Sequence, residues 1–187
     1  MNTDKICIFT DTGKMHTIKA VDIPLGRFRD KGTPVDNLSN YDSSKERMLY
    51  VAPVGQLRSD RLLFVTKTSM CKLVEGAEFD VAKRTIASTK LADEDELIFI
   101  GSASEMEQIV LQSHGGCFLR FLTQEVSTMK KTALGVRGMK LADDDYLEHA
   151  YLLAGHQEYT ISYHDKEYAL NKVRLAKRDT KGIKPRI

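Results

Sequence analysis

Leu62-Leu63-Phe64-Val65-Thr66, then Lys67-Thr68-Ser69, then Cys71 to Glu75 is the stretch that decides how this chain reads. An apolar run, a short polar turn and a second β-forming run of similar length predict a β-hairpin. The same order occurs three more times. Ile6-Cys7-Ile8-Phe9-Thr10 passes through Asp11-Thr12-Gly13-Lys14 into Met15 to Lys19. Ile109-Val110-Leu111-Gln112-Ser113 passes through His114-Gly115-Gly116 into Cys117 to Phe121. Tyr159-Thr160-Ile161-Ser162-Tyr163 passes through His164-Asp165-Lys166 into Tyr168 to Lys172. Glycine in two of these turns supplies the positive φ that tight hairpins need.

Working outward from each hairpin, the next feature is an irregular basic connection. These are Arg27 to Gly32, Lys83-Arg84-Thr85, Lys130-Lys131-Thr132 running on to Arg137-Gly138, and Lys177 to Gly182. In the first three units a leucine follows (Leu38, Leu91, Leu141), then a polar or acidic turn. Those turns are Ser39 to Asp42, Asp93 to Glu96 and Asp143 to Asp145. A closing strand comes last: Met48 to Val51, Leu97 to Ile100 and Tyr146 to Leu152. One unit is thus about four short strands in about fifty residues, the length scale of a propeller blade. The units run over about 4–52, 60–101, 106–153 and 157–187, the last without a closing strand. No long stretch keeps an apolar period of about 3.6, so helix should be scarce. An ordinary β-sandwich is the competing fold, and the fixed order of turn, basic loop and leucine argues against it.

Composition closes off several classes. Hydrophobic residues make up 42% and charged residues 29%, as in an ordinary globular chain. No apolar run is long enough for a membrane helix, and the three cysteines Cys7, Cys71 and Cys117 lack metal or disulfide spacing. A reducing cytoplasm is the expected compartment. The net charge is only +2, but cations and carboxylates hold different fixed places in each unit. Stacking the units would gather the cations along one part of a rim, which is how a nearly neutral chain can hold a polyanion. Consecutive carboxylates at Asp93 to Glu96 and Asp143 to Asp145 do not have calcium-loop spacing and read as solvated turns that would repel a polyanion. The five histidines, His16, His114, His149, His156 and His164, share no spacing and read as strand or turn residues. Phe9, Phe64, Phe99 and Met48 read as core. The basic run from Lys172 to Ile187 reads as part of the fourth connection, or as a frayed tail.

Phe9-Thr10-Asp11-Thr12-Gly13-Lys14, Ile23-Pro24 and Asp30-Lys31-Gly32-Thr33-Pro34 resemble a repeat of the C-terminal domain of type IIA topoisomerase A subunits, those of DNA gyrase and topoisomerase IV. Gly135-Val136-Arg137-Gly138-Met139-Lys140-Leu141 ahead of Asp143-Asp144-Asp145 is the most specific match, and Arg178-Asp179-Thr180-Lys181-Gly182 is a weaker copy. The resemblance implies an all-β fold, the β-pinwheel, a propeller-like disc of four-stranded blades that exchange strands with their neighbours. It also implies non-sequence-specific binding of duplex DNA on a basic rim, bending or wrapping it. The site residues it points to are Arg27, Arg29, Lys31 and Gly32 in the first unit, and Lys83 and Arg84 in the second. In the third they are Lys130, Lys131, Arg137 and Lys140, and in the fourth Lys177, Arg178 and Lys181. Backbone NH groups near Gly32, Gly135, Gly138 and Gly182 are expected to approach phosphates.

The same resemblance implies no catalytic residue, no metal and no cofactor in this chain. ATP and magnesium are expected only in the full heterotetrameric enzyme. The expected partners there are the ATPase B subunit, together with the rest of the A subunit. No membrane contact is expected, and the place of work would be the cytoplasm, at the nucleoid. None of the seven tyrosines follows an arginine, as the family's catalytic tyrosine does, so the chain reads as a fragment of a longer protein of this kind. No copy of the Gln-Arg-Arg-Gly-Gly-Lys-Gly box of gyrase A subunits occurs, which favours a topoisomerase IV-like role or a fragment without the box-bearing blade. Two other functions compete: a propeller that binds proteins and not DNA, and an enzyme with a site in a central channel. The repeated cations speak against the first, and the lack of a nucleophile, metal-ligand or phosphate-loop motif speaks against the second.

Overall fold

A computed structural model describes residues 4–155 and 157–185. The first unit contains β1 (Lys5–Thr10), β2 (Lys14–Lys19), the single helical turn α1 (Val35–Leu38) and β3 (Met48–Pro53). A second helical turn, α2 (Val54–Leu57), leads to β4 (Arg61–Thr66), β5 (Met70–Glu75), β6 (Thr85–Ala87) and β7 (Leu97–Ser102). The third unit holds β8 (Gln108–Ser113), β9 (Phe118–Leu122), β10 (Val136–Arg137) and β11 (Leu147–Leu153), and the fourth holds β12 (Thr160–Tyr163) and β13 (Lys166–Ala169). Helix is as scarce as the sequence predicts: two four-residue turns and four short 3-10 segments among the described residues. In the last unit the second run is only partly a strand, because Leu170–Lys172 winds into a 3-10 turn.

The sheet orders are β3-β1-β2-β6, β10-β5-β4-β7, β11-β8-β9 and β12-β13. They show that the basic connections are not simply irregular. β6 belongs to the second unit by sequence yet pairs with β2 of the first, through Lys14↔Ala87, Met15↔Ile86 and His16↔Thr85. β10 of the third unit pairs with β5 of the second, through Val136↔Cys71 and Arg137↔Met70. At the third junction the connection of the fourth unit touches β9 by isolated bridges, Arg120↔Leu175 and Phe118↔Ile183. The second, third and fourth units therefore each lend their connection to the sheet before them. The four-stranded blade holds for the first two sheets only; among the described residues the third sheet has three strands and the fourth has two.

The cores lie between sheets. Successive side chains of a strand point to opposite faces. Leu62 and Phe64 of β4 accordingly pack toward the first sheet, with Phe9, Met15, Val74 and Phe79. Leu63 and Val65 pack toward the third, with Leu73, Ile109, Leu111 and Phe121. Both faces of the sheet are covered, which is why the run is apolar throughout and does not alternate. Phe9 meets Phe79 edge-on at 4.9 Å and Phe64 at 6.2 Å. Each fully buried aromatic contributes about 1.5–3 kcal/mol. Phe99 is partly buried against the second junction, whereas Met48 is only half-buried and belongs to none of the three core clusters.

Buried polar groups fasten the first junction. Glu46 accepts hydrogen bonds from the hydroxyls of Thr10 and Thr12 at 2.9 and 3.0 Å. Its other oxygen lies 2.8 Å from His16 Nε2, and His16 Nδ1 lies 3.0 Å from the Thr85 hydroxyl of the lent strand. Burial alone would raise the Glu46 pKa, but the two threonine hydroxyls and His16 outweigh it and hold the carboxyl below its usual range. The acidic turns also have a local task. Asp95 accepts from the Thr68 amide and hydroxyl, and Asp145 from the Gly115 amide, so each carboxylate caps the neighbouring hairpin turn.

Candidate nucleic-acid interface

The lent strands decide which predicted cations are free. In the first unit Arg27, Arg29 and Lys31 are exposed, and among the described residues none has an ion-pair partner. Gly32 is in the left-handed region at φ +73, and a Cβ placed there would meet nothing within 4 Å. Lys83 is exposed, while Arg84 reaches back across the junction to Asp22 at 3.5 Å. Lys130 lies 3.4 Å from the Glu78 carboxylate, and Lys131 donates to the Glu78 backbone carbonyl at 2.9 Å. Arg137 is fastened to Asp179 of the next unit, and Arg178 donates to the Glu125 and Arg137 carbonyls at 3.0 and 2.6 Å. Lys140, Lys177 and Lys181 are exposed and outside any ion pair within 4 Å among the described residues. The predicted set thus divides into junction ties and free cations.

Three of the four glycines expected to approach phosphates are packed against the preceding sheet. A Cβ on Gly138 would stand 2.6 Å from Cys71 Sγ and Leu111 Cδ1, and its amide donates to the Ser69 carbonyl at 2.6 Å. A Cβ on Gly135 would meet the Cys71 carbonyl oxygen at 2.7 Å, and one on Gly182 the Phe118 carbonyl oxygen at 2.9 Å. These glycines let a lent segment lie against the sheet before it. Gly32 alone of the four stands open.

Lys72 is a residue that loop reading could not find. It sits in β5 with 1% exposure, and its Nζ donates to the Lys131 and Ala133 carbonyls at 2.8 and 2.6 Å. Burial pulls its pKa down to about 8, against the opposing pull of Glu78. It therefore clamps the backbone of the third connection and sets where Lys130 stands. The signal was a lysine inside Cys71-Lys72-Leu73-Val74, a charge where a core residue is expected. His16 is structural, as described. His114 stacks on Tyr146 at 4.7 Å, and His156 lies outside the described residues, as do Arg186 and Ile187 of the basic run. Among the described residues no group of three His, Cys, Asp or Glu side chains could hold a metal, and no helix is long and apolar enough to cross a membrane.

Comparison with known proteins agrees with this geometry. The crystal structure of the C-terminal domain of DNA topoisomerase IV superposes with a TM-score of 0.87 at 24% identity, over 97% of this chain and 58% of that one. The DNA gyrase A C-terminal domain gives 0.71 at 22% identity, over 98% and 60%. At these identities the likeness is one of fold. The DNA gyrase A subunit of Ureaplasma parvum is 27% identical over 184 residues, 95% of this chain and 22% of that protein. The DNA topoisomerase 4 A subunit of Bacillus subtilis is 30% identical over 148 residues, 78% of this chain and 18% of that protein. The chain thus spans about a fifth of the curated relatives it matches. The family described as DNA gyrase C-terminal domain, beta-propeller, matches residues 4–43, 60–104 and 107–154, one segment for each of the first three units. With three consecutive repeats matched and the strand-lending sheets in place, this chain belongs to that family.

Proposed function

We propose that this chain binds duplex DNA without sequence preference, through the free cations of its connections, as the guiding or wrapping domain of a bacterial type IIA topoisomerase A subunit. The observation that supports the reading is that each unit keeps exposed cations outside any ion pair among the described residues: Arg27, Arg29 and Lys31, then Lys83, Lys140, Lys177 and Lys181. Phosphate contacts position a duplex and carry no sequence information, and no helix long enough to read the major groove is present among the described residues. Cleavage and strand passage then belong to the rest of the A subunit, and ATP hydrolysis to the B subunit, in the bacterial cytoplasm.

Binding to random duplex DNA, followed by filter retention at several salt concentrations, tests this. The expected slope of log K against log salt is steep, near ~0.9 per phosphate contact. Replacing Arg29 and Lys31 together by alanine should weaken binding to every sequence alike and flatten the slope by roughly one to two. Arg137→Ala is a poor probe, because it also breaks the tie to Asp179. Wild-type affinity for the double variant at all salt concentrations would overturn the reading. A preference above ~100-fold for one short site would do the same, since specific readout gives roughly 10³-fold or more.

A further inference from the structure

Three of the four connections carry their first two cations side by side: Lys83-Arg84, Lys130-Lys131 and Lys177-Arg178. The first connection splits them, as Arg27-Phe28-Arg29. The Asp30 amide donates to the Arg27 carbonyl at 2.9 Å, and the Arg27 amide donates to Asp30 Oδ2 at 2.6 Å. This closes a four-residue turn with Phe28 and Arg29 at its apex. Phe28 is fully exposed, at 105% of its reference area, and Leu25 is exposed to the same degree.

Strand lending accounts for Leu25. Leu25-Gly26-Arg27 stands where Leu175-Ala176-Lys177 stands in the fourth unit, and Leu175 bridges to Arg120 of the preceding sheet. It does not account for Phe28, the extra residue between the two cations, which has no counterpart in the other units. A bare benzyl ring at a turn apex, with the exposed Arg27, Arg29 and Lys31 within three residues of it in sequence, matches one surface well: stacked base pairs between two phosphate chains. The cations would meet the phosphates, and the ring would meet the bases, whose flat faces accept any aromatic regardless of sequence.

On the DNA-binding reading above, we propose that Phe28 is a wedge that enters between adjacent base pairs of the bound duplex, unstacks that step and bends the axis. Apolar side chains inserted in this way kink duplexes, and pyrimidine–purine steps open most easily. The carboxylate of Asp30, the one negative group in the turn, is engaged by the Arg27 amide, on the turn's own backbone.

The test uses the whole chain and a short duplex with 2-aminopurine at a central TA step and a fluorophore at each end. The parent should raise the 2-aminopurine signal and bring the ends together. Phe28→Ala should lose both effects at saturating protein while keeping the parent's salt slope, and Phe28→Leu should keep part of both. Phe28 is bare of packing, so the fold survives its removal, which circular dichroism checks. If Phe28→Ala opens and bends the duplex as the parent does, the wedge is wrong although DNA binding stands. If the parent fails to retain duplex DNA at any salt concentration, the DNA-binding reading itself falls, and the wedge with it.

Discussion

Gly32 and Gly138 each directly follow a cation of a connection, yet a methyl group would do different things at the two. At Gly138 it would collide with Cys71 and Leu111 across the second junction. Overpacking of this kind costs typically about 1–3 kcal/mol, and each kcal/mol lowers the melting temperature of a chain this size by about 2–4 °C. Gly138→Ala should also loosen two bonds that cross the unit boundaries: the Gly138 amide to the Ser69 carbonyl, and the Asp179 amide to the Gly138 carbonyl. Hydrogen exchange should therefore quicken at Asp179 and at Met139, whose amide donates to the Ser69 hydroxyl at 2.7 Å beside the strained contact. Gly32→Ala meets no atom and suffers only its left-handed φ, roughly 1–2 kcal/mol, with exchange unchanged outside its own loop. Equal exchange patterns in the two variants would show that Gly138 does not hold the junction.

At the scale of elements, β6 is held by more than its three register pairs. Thr85 is tied through His16 to Glu46, and Glu46 to the turn at Thr10 and Thr12. Glu46→Ala would leave a buried imidazole and two hydroxyls without their acceptor, a loss of about 1–3 kcal/mol. The sign with pH follows from the lowered carboxyl. The parent's advantage over Glu46→Ala is full above the ordinary carboxylate value of 4.5, and is lost as the pH falls through the lower folded value. Urea midpoints of the two proteins at neutral pH and in acid below that folded value measure this, and a gap that does not shrink in acid would contradict it. The elements differed in how legible they were. The hairpins could be read because Leu62 to Val65 and Ile109 to Leu111 are apolar enough to declare strands on their own. β6 and β10 could not: Thr85-Ile86-Ala87 and Val136-Arg137 are two or three residues long, and each is a strand only because the preceding unit offers it an edge. The same non-locality hid which cations are free. Nothing around Arg137 in the sequence points to Asp179, forty-two positions on, as its partner.

Over the whole molecule the shared cores make neighbouring sheets depend on one another. Leu63 of the second sheet packs with Ile109, Leu111 and Phe121 of the third. Leu63→Ala should cost about 2–5 kcal/mol. Amide protection should fall together in β4, β5, β8 and β9, within a single denaturation transition. Two separated transitions would mean that the units are energetically independent. The disc was legible from the repeat and its order, because four hairpins at a near-constant interval leave few ways to bury their faces. The uneven sheets were not, because strand count per sheet depends on what neighbours lend. That lending also bears on how such a chain can grow over evolutionary time. Duplicating one stretch from hairpin to closing strand adds an acceptor edge and a donor segment together, but the copy's donor, matched to the sheet before the original, now meets the original's own edge. Deleting such a stretch brings a foreign donor against the preceding edge, where the Gly138 contact with Cys71 must be matched again. The unit of inheritance and the unit of folding are thus offset by one strand, so lengthening or shortening the row each leaves one new junction to be matched.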